Sequence, residues 1–366
     1  KTKKMNIGII FGGKSGEHEV SISSAISAMK HFDKKKYNII PIGIDKNGCW
    51  LKGNEYLKLL SREQKVQLES RLHLKRKVKF HRLIISDAKH SSRAIDVIFP
   101  ILHGTYGEDG TVQGFLELLD IPYVGSGVLG SSLGMDKVVQ KELYKLHGLP
   151  QAKFQWFLYK NWKRRENLIT KIILQKLHFP MFIKPANLGS SVGITKTKNK
   201  KELVSAIQIA GKFDNKIIVE EGIEGIRELE CSILGNDDTK ASVLGEVIPA
   251  NEFYDYKAKY KDTKTRVIIP AKVSKRISKK VQNMAILAFK ILNLSGLARI
   301  DFFLREKDNA IFINEVNTLP GLTIMYPMLW EASGLSYNKL IDELILLARK
   351  RYKEKKRLIT NYNSSS

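Results

Sequence analysis

The sequence predicts an α/β protein of two or three domains, and three observations support that prediction. Short apolar strands alternate with helical segments through the first third of the 366 residues, which is typical of an open parallel sheet. Two later apolar strands flank a short polar turn, which is typical of an antiparallel hairpin and adds an α+β part. Apolar residues make up 43% of the chain, enough for a core in each domain.

The order of these segments divides the chain into three units. The first, about residues 1–125, is predicted to contain strands at 5–11, 37–44 and 94–102, helices at about 17–31 and 110–119, and a polar stretch at 54–79. The second, about 126–221, is predicted to contain helices near 136–147 and 202–211 and strands near 179–184 and 216–221. The third, about 222–366, is predicted to contain a strand at 227–235, a long loop at 251–267, the hairpin and an amphipathic helix at about 335–351.

The composition and net charge limit the classes of binding partner that are expected, but they do not indicate a function. The net charge of +25 raises nucleic acid as a partner, but the lysines are spread along the chain without a nucleic-acid-binding motif. A lysine-rich solvated surface explains the charge better, so no nucleic-acid partner is expected. The apolar runs are too short for a transmembrane helix, and the N-terminus does not resemble a signal peptide. Cys49 and Cys231 lie far apart, which fits a cytoplasmic location.

The predicted hairpin has the strongest functional pattern. Side chains alternate along a strand, so Arg299 and Asp301 share one face, as do Glu315 and Asn317 on the partner strand. Folding about the polar turn brings Asp301 roughly opposite Glu315. Such oxygen ligands suit Mg²⁺ that is held partly by substrate phosphates. The alternative is a surface strand pair with ordinary charges, which the cost of placing polar groups in apolar strands disfavours.

Two glycine-rich turns at predicted strand ends are candidates for ligand binding. FGGKSGEHEVS at 11–21 lacks the G-x-G-x-x-G of a dinucleotide site, and Glu17 suits a ligand's ammonium group better than a pyrophosphate. Helix capping is the alternative role for Glu17. The loop KPANLGSSVG, which begins at Lys184, is typical of loops that bind phosphate through backbone amides and a lysine charge. It is not a P-loop, and a plain Gly/Ser turn is the alternative.

A third loop, HGTYGEDG at 103–110, follows a predicted strand of the parallel sheet. Ligands bind at the carboxyl ends of strands in such sheets, and the loop lies at that edge. A lone histidine is more often structural than catalytic, but this position favours a functional His103.

Together these segments closely resemble the D-alanine–D-alanine ligases of the ATP-grasp superfamily. The matching motifs follow the family's order from about Met5 to Arg349: FGGKSGEHEVS, HGTYGEDGTVQG, GSGVLGSSLGMDK, IKPANLGSSVG, EFYDYKAKY and ARIDFF with NEVNTLPG. The resemblance implies a two-domain ATP-grasp fold after the N-terminal sheet. It also implies that ATP lies between the central and C-terminal domains, under a mobile loop at 251–267 that excludes water.

The resemblance also assigns ligand-binding residues. Lys137 and Lys184 match the lysines that hold the ATP phosphates. Asp301, Glu315 and Asn317 match the ligands of two Mg²⁺ ions, for which Mn²⁺ can substitute. The other residues expected to bind the nucleotide are Ser191, Glu220, Glu221, Ile223, Glu228, Phe253, Lys259, Phe303 and Asn314.

The expected catalytic residues surround the substrate amino acid. Glu17 matches the acid that receives the ammonium group of the first D-alanine, and Ser190 and Tyr260 match partners that link it to the mobile loop. Arg299 is suitably placed to stabilise the oxyanion of a tetrahedral intermediate, with the amide of Gly321 as second donor. The expected substrate-binding residues are His103, Val20 and Thr323.

The implied reaction joins two D-alanine molecules through an acyl phosphate, with ATP consumed, to supply a dipeptide for peptidoglycan. A homodimer is expected, because ligases of this family are commonly dimers. D-Alanine–D-serine and D-alanine–D-lactate ligation are alternatives, and the loop YKAKY at 256–260 favours D-alanine over D-lactate. A different ATP-grasp ligase and a non-catalytic nucleotide-binding relative are the remaining rivals.

One departure from the family pattern concerns the second substrate. The family's G-F-T-x-x-S-M-Y-P is two residues shorter here, as GLTIMYP at 321–327. The missing serine is the one expected to hold the carboxylate of the second substrate. Thr323 or backbone amides are the candidates to replace it, and a defect in this sequence is the other interpretation.

Overall fold

A computed structural model describes residues 4–51, 53–69, 95–189, 192–248 and 265–359. Its strands are β1 (Met5–Gly12), β2 (Tyr37–Ile44), β3 (Val97–Ile101), β4 (Phe154–Leu158), β5 (Met181–Pro185), β6 (Thr195–Thr197), β7 (Lys216–Glu221), β8 (Ile226–Gly235), β9 (Lys240–Ile248), β10 (Arg266–Ile268), β11 (Gly296–Arg305) and β12 (Ala310–Asn317). Its α-helices are α1 (His18–Met29), α2 (Arg62–Glu69), α3 (Thr111–Leu118), α4 (Val128–Met135), α5 (Lys137–Leu146), α6 (Tyr159–Arg164), α7 (Glu166–Lys176), α8 (Lys200–Ala210), α9 (Lys275–Ile291), α10 (Met325–Ala332) and α11 (Tyr337–Lys356), and a 3₁₀ helix spans Gly53–Leu59. None of the helices described is long and apolar enough to cross a membrane.

The N-terminal sheet is parallel and has the order β2-β1-β3. The last six residues of β1 are all buried, because apolar layers cover both faces of the sheet. A strand buried on both faces has a continuous apolar sequence, which is why MNIGIIF shows no alternation. The carboxyl ends of β1 and β3 therefore lie side by side, next to the loops that follow them.

Two antiparallel sheets form the rest of the framework. One has the order β4-β7-β5-β6 and packs its core against α7 and α8. The other has the order β10-β9-β8-β11-β12 and packs against α9. These are the mixed parallel and antiparallel sheets that the predicted fold class requires.

Helix α5 connects the two antiparallel sheets. Asp136 caps its N-terminus by accepting hydrogen bonds from the amides of Val138 and Val139, at 3.0 and 3.1 Å. The amide of Lys137 donates to the carbonyl of Ala186 after β5, at 3.0 Å. The side chain of Gln140 accepts from the amide of Val316 in β12, at 3.1 Å. Helix α5 therefore holds the two antiparallel sheets in a fixed position relative to each other.

The C-terminal helix α11 packs on the N-terminal sheet. Its buried face, which includes Leu340 and Leu344, shares one core with Ile7 and Phe11 of β1. The hydroxyl of Tyr37 donates to Asp342 at 2.7 Å. The first and last parts of the chain are thus joined through one apolar core, and the unit boundaries near 125 and 221 stay predictions.

The predicted elements mostly form, with several corrections. The strands at 37–44 and 216–221 are confirmed to the residue, and the hairpin is confirmed with Asp301 directly opposite Glu315. The loop predicted to end at 267 ends earlier, because β10 begins at Arg266. The last helix extends beyond 351 to Lys356, where Lys355 and Lys356 pair with acids near α3.

Several elements had no counterpart in the prediction, and part of one predicted segment cannot be compared. The sequence did not predict α4, α6, α7, α9, α10, β4, β6 or β9. The polar stretch at 54–79 contains the 3₁₀ helix and α2 as far as residue 69, and its remainder lies outside the described residues.

Candidate active site

Glu17 lies in a narrow slot between two loops. A Cβ atom on Gly104 would come within 2.7 Å of its Oε2, and a Cβ on Gly189 would come equally close. Only glycine leaves room for the carboxylate at these two positions. Because Gly104 follows β3 and Gly189 follows β5, the slot brings the parallel sheet to the loop that begins at Lys184. The Glu17 carboxylate accepts no capping hydrogen bond from the first amides of α1.

His103 is buried and holds a fixed tautomer. Its Nδ1 lies 2.9 Å from the carbonyl oxygen of Leu319, and its Nε2 lies 3.2 Å from the hydroxyl of Ser24. A carbonyl only accepts, so Nδ1 carries the proton and the Ser24 hydroxyl donates to Nε2. Burial lowers the pKa of His103, although the charge of Glu17 acts in the opposite direction. The imidazole is therefore neutral and positions the segment that leads to Gly321.

Glu108 is a site residue that the sequence analysis did not single out. Its carboxylate accepts from the amide of Gly104 at 2.8 Å and from the amide of Leu319 at 3.0 Å. Together with His103 it therefore clamps both backbone polar groups of Leu319. Burial, and after it the charge of Glu17, raises the pKa of Glu108 to about 8. The position of Glu108 among the glycines of HGTYGEDG is the sequence signal that could have identified it as a site residue.

The hairpin presents a dense group of charges. Arg299 makes two hydrogen bonds of 2.8 Å to Asp301, and its Nε lies 2.8 Å from Glu230 of β8. Asn317 donates to the same Asp301 carboxylate at 3.0 Å. The predicted Arg299, Asp301 and Asn317 thus converge, and Glu230 is an addition that the register of β8 beside β11 explains.

Lys137 connects the hairpin to the loop after β5. Its Nζ donates to the carbonyl of Leu188 at 2.6 Å and lies 3.7 Å from Glu315. The predicted phosphate-binding lysine and the predicted metal ligand therefore face each other across the cleft between the sheets.

Lys184, Glu220 and Lys141 form a buried ionic group on the other side of the cleft. Lys184 donates to Glu220 at 2.8 Å, and the Nζ of Lys141 lies 3.4 Å from the other oxygen of the same carboxylate. Burial raises the pKa of Glu220, but the charges of Lys141 and Lys184 outweigh it and hold the pKa below its usual value. The sequence analysis expected Lys184 and Glu220 and missed Lys141.

Four of the expected nucleotide-binding residues lie on the strands around the cleft. Glu228 of β8 lies directly beside Phe303 of β11. A β-bulge between Asp301 and Phe302 leaves Asn314 as the extra residue of β12, and its buried amide oxygen has no hydrogen-bond partner among the described residues. The carboxylate of Glu221 accepts instead from the amide and the ring of His178, at 2.9 and 3.1 Å. This contact binds the Glu221 side chain to the segment before β5.

The remaining predicted residues are placed as follows. Gly321 lies beside Ser24 and Thr323, because a Cβ on it would be 3.7 and 4.0 Å from their hydroxyl oxygens. Thr323 is exposed, Val20 is buried in α1, and Ile223 follows β7 and is half-buried. The others lie outside the described residues: Ser190, Ser191, Phe253, Lys259 and Tyr260.

The residues of the hairpin fit a magnesium ion bound together with a phosphorylated ligand. Asp301 and Glu315 are opposite each other and partly exposed, and carboxylate oxygens are the ligands that Mg²⁺ prefers. In the part of the chain that is described, no three His, Cys, Asp or Glu side chains form a metal-binding cluster. The carboxylates of Asp301 and Glu315 and the amide oxygen of Asn317 are too few to complete the coordination shell of Mg²⁺. Phosphate oxygens of the ligand would have to complete it.

We expect the raised pKa of Glu108 to make stability fall as pH rises. Between about pH 4.5 and 8 the folded chain holds a proton at Glu108 that the unfolded chain has lost. This stabilising contribution is complete below the unfolded pKa and disappears through pH 8. Thermal unfolding from pH 6 to 9 should therefore show a smaller decrease in midpoint for Glu108→Gln than for the wild type. Glu142→Gln, at an exposed position of α5, should follow the wild type. An equal decrease in all three proteins would contradict the assignment.

Comparison with known proteins places these features in a family. A family model described as the D-ala D-ala ligase N-terminus matches residues 6–126, and one described as its C-terminus matches residues 143–346. A D-alanine–D-alanine ligase of Natranaerobius thermophilus is 48% identical over 365 residues, which cover 99% of this chain and 100% of the relative. One of Bacillus cytotoxicus is 48% identical over 358 residues, which cover 97% and 98%.

Solved structures agree with the sequence relatives. The D-alanine–D-alanine ligase of Coxiella burnetii superposes with a TM-score of 0.79 at 33% identity and covers 97% of both chains. A D-Ala:D-Ser ligase of Enterococcus faecalis gives 0.78 at 35% identity and covers 94% of this chain and 100% of its own. A Bacillus anthracis ligase complexed with ATP gives 0.70 at 31% identity, over 97% and 100%. The predicted family and fold class are confirmed: the chain belongs to the D-alanine–D-alanine ligase family.

Proposed function

We propose that this enzyme couples the cleavage of ATP to ADP and phosphate with the joining of two D-alanine molecules, and that its product is D-alanyl-D-alanine for peptidoglycan. The observation that carries the proposal is the position of Lys137, which touches both the loop after β5 and Glu315 of the hairpin. A phosphate-binding lysine, a metal-binding hairpin and the Glu17 slot thereby face one cleft. We place the reaction in the cytoplasm, where ATP is available.

The first step concerns the donor D-alanine. Glu17 receives its ammonium group, and the slot between Gly104 and Gly189 fixes the carboxylate for that contact. The carboxylate of the substrate then attacks the γ-phosphorus of ATP, the bond from that phosphorus to the bridging oxygen breaks, and the products are an acyl phosphate and ADP. Lys137 and Lys184 attract the transferring phosphoryl group. Asp301, Glu315 and Asn317 would hold two Mg²⁺ ions, or Mn²⁺ in their place, which supply positive charge to the phosphates.

In the second step the neutral amine of another D-alanine attacks the acyl carbon of the acyl phosphate. The C–N bond forms, the amine loses a proton, and inorganic phosphate leaves. Arg299 and the amide of Gly321 stabilise the oxyanion that forms at the acyl carbon. His103 and Glu108 act through Leu319, since they hold the backbone two residues before Gly321. A neutral His103 suits this task, because a charged imidazole there would compete with Arg299 for the substrate's negative charge.

The acceptor is proposed to be D-alanine. The loop YKAKY at 256–260 supports D-alanine over D-lactate, and its residues lie outside the described ones. D-Serine is the nearest alternative, because a D-Ala:D-Ser ligase superposes closely on this chain. Thr323, which is exposed beside Gly321, is the candidate to bind the carboxylate of the acceptor in the shortened loop.

The first test is ADP release by the purified protein with Mg-ATP. Turnover should require D-alanine, should be absent with L-alanine, and should yield D-alanyl-D-alanine by mass spectrometry. Competition of D-alanine with equimolar D-serine or D-lactate should leave the D-alanine dipeptide as the main product. Nucleotide binding without D-alanine-dependent turnover would instead support a non-catalytic relative. If D-alanyl-D-serine or D-alanyl-D-lactate were the main product of the competition, the acceptor would have to be reassigned.

A second test concerns the hairpin carboxylates. Asp301→Asn and Glu315→Gln should each lower turnover by about a hundredfold or more, because a bound metal contributes several kcal/mol of charge stabilisation. Counting of Mn²⁺ by electron paramagnetic resonance in the presence of ATP should show fewer bound ions in both variants. Asp308→Asn, in the exposed turn of the same hairpin, is the matched control and should keep both properties. Full Mn²⁺ binding by Asp301→Asn would remove that residue from the metal site.

We also propose that the protein is a homodimer. Leu118 of α3 and Val128 and Leu129 of α4 expose apolar side chains. The two helices adjoin at Gly114 of α3 and Val128 of α4, where a Cβ atom added to the glycine would lie 3.9 Å from the valine side chain. Large exposed apolar side chains on two adjoining helices support an interface at this place. Light scattering should give twice the mass of the chain, and Leu118→Glu with Leu129→Glu should give the monomer. Leu346→Glu, exposed on α11, should remain dimeric. A monomeric wild type at micromolar concentration would contradict the proposal.

A further inference from the structure

Glu220 has more cationic partners than its single charge requires. Lys184 donates to its Oε2 at 2.8 Å, and the ammonium group of Lys141 lies 3.4 Å from its Oε1. The carboxylate is 5% exposed, since β7 holds it between Phe154 of β4 and Phe182 of β5. Two buried lysines therefore share one buried carboxylate.

The two lysines differ in what they can reach. Lys184 stands at the end of β5, immediately before the loop that leads to Gly189, and its side chain is 10% exposed. Lys141 stands in the middle of α5, its side chain is 2% exposed, and its ammonium group lies 5.7 Å from the centre of the Phe154 ring. Lys184 can therefore turn towards a ligand in the cleft, whereas Lys141 is confined beside Glu220.

Keeping Lys141 charged in this place is costly. Burial lowers its pKa, and the attraction of Glu220 acts in the opposite direction. A buried charge is tolerated only where a counter-charge repays its loss of hydration. While Lys184 donates its hydrogen bond to Glu220, Lys141 is a second and more distant partner. Its charge becomes necessary only in a state in which Lys184 has left.

Such a state follows if the proposed function is correct, and the present inference rests on that function. Lys184 would then leave Glu220 in order to bind the phosphates of ATP. We propose that Lys141 is a positioning residue that takes over Glu220 at that moment, so that phosphate binding does not leave a buried carboxylate without a counter-charge. Glu220 thereby stays in place beside the nucleoside, and the release of Lys184 costs little.

Calorimetric titration of Mg-ATP and of adenosine separates this role from simple packing. Lys141→Met should weaken ATP binding at least tenfold (about 1.4 kcal/mol) but adenosine binding less than threefold, because adenosine does not draw Lys184 away. In a Glu220→Gln background, adding Lys141→Met should not weaken ATP binding, since no carboxylate remains to be neutralised. Lys145→Met, at an exposed position of the same helix, should bind both ligands as the wild type does.

A packing role would give different results. Lys141→Met would then weaken ATP and adenosine equally, and the loss would persist beside Glu220→Gln. Either result overturns the inference, and so does an unchanged affinity for ATP. A wild-type protein that binds no ATP would instead contradict the proposed function itself, so the two failures can be told apart.

Thermal unfolding gives a second measurement that does not need the ligand. Lys141→Met should fold, because its apolar stem is retained and Lys184 remains paired with Glu220. The double variant Lys141→Met with Lys184→Met leaves Glu220 without either lysine, so its midpoint should fall by more than the two single decreases together. Additive decreases would show that the lysines do not substitute for each other, and would overturn the inference.

Discussion

Neutralisation of charge inside the cleft is the constraint on which the rest of the site depends. Burying an ion costs several kcal/mol unless an opposite charge with good geometry stands beside it. Asp301 meets this condition through Arg299, Glu220 through Lys184 and Glu315 through Lys137. A ligand that enters the cleft therefore exchanges partners with existing ion pairs, and the affinity measures the difference between the two sets of contacts.

The helix α5 makes this neutralisation possible for both antiparallel sheets at once. Lys137 and Lys141 are four residues apart and thus lie on one face of the helix. The first reaches Glu315 of the hairpin, and the second reaches Glu220 of β7. Because Gln140 and the amide of Lys137 tie the same helix to both sheets, a shift of one sheet would break contacts to the other. The backbone framework and the charges are thus held by a single element.

The sequence was informative where function depends on spacing within one element. Strand alternation and the polar turn together predicted Asp301 opposite Glu315, which the strand register confirms. The charge of Glu17 in a glycine turn predicted a contact with an ammonium group, which stays a prediction. The residues that escaped depend on contacts between distant segments. Glu108 accepts from the amide of Leu319, which is 211 positions away, and Lys141 of α5 lies beside Glu220 of β7. No local pattern encodes such contacts. The four-residue spacing of Lys137 and Lys141 does, however, indicate that both lysines lie on one face of a helix.

The balance of charges also bears on the number of metal ions. Among the described residues, the ion pairs between α5, β5, β7 and the hairpin, together with the Glu17 slot, contain four cationic side chains and five carboxylates: Lys137, Lys141, Lys184 and Arg299 against Glu17, Glu220, Glu230, Asp301 and Glu315. A site that is already close to neutral has little positive charge to spare for ATP, which carries roughly four negative charges. Two divalent ions would cancel that charge, whereas one would leave about half of it unbalanced. The proposed pair of Mg²⁺ ions would thus supply the positive charge that these side chains lack.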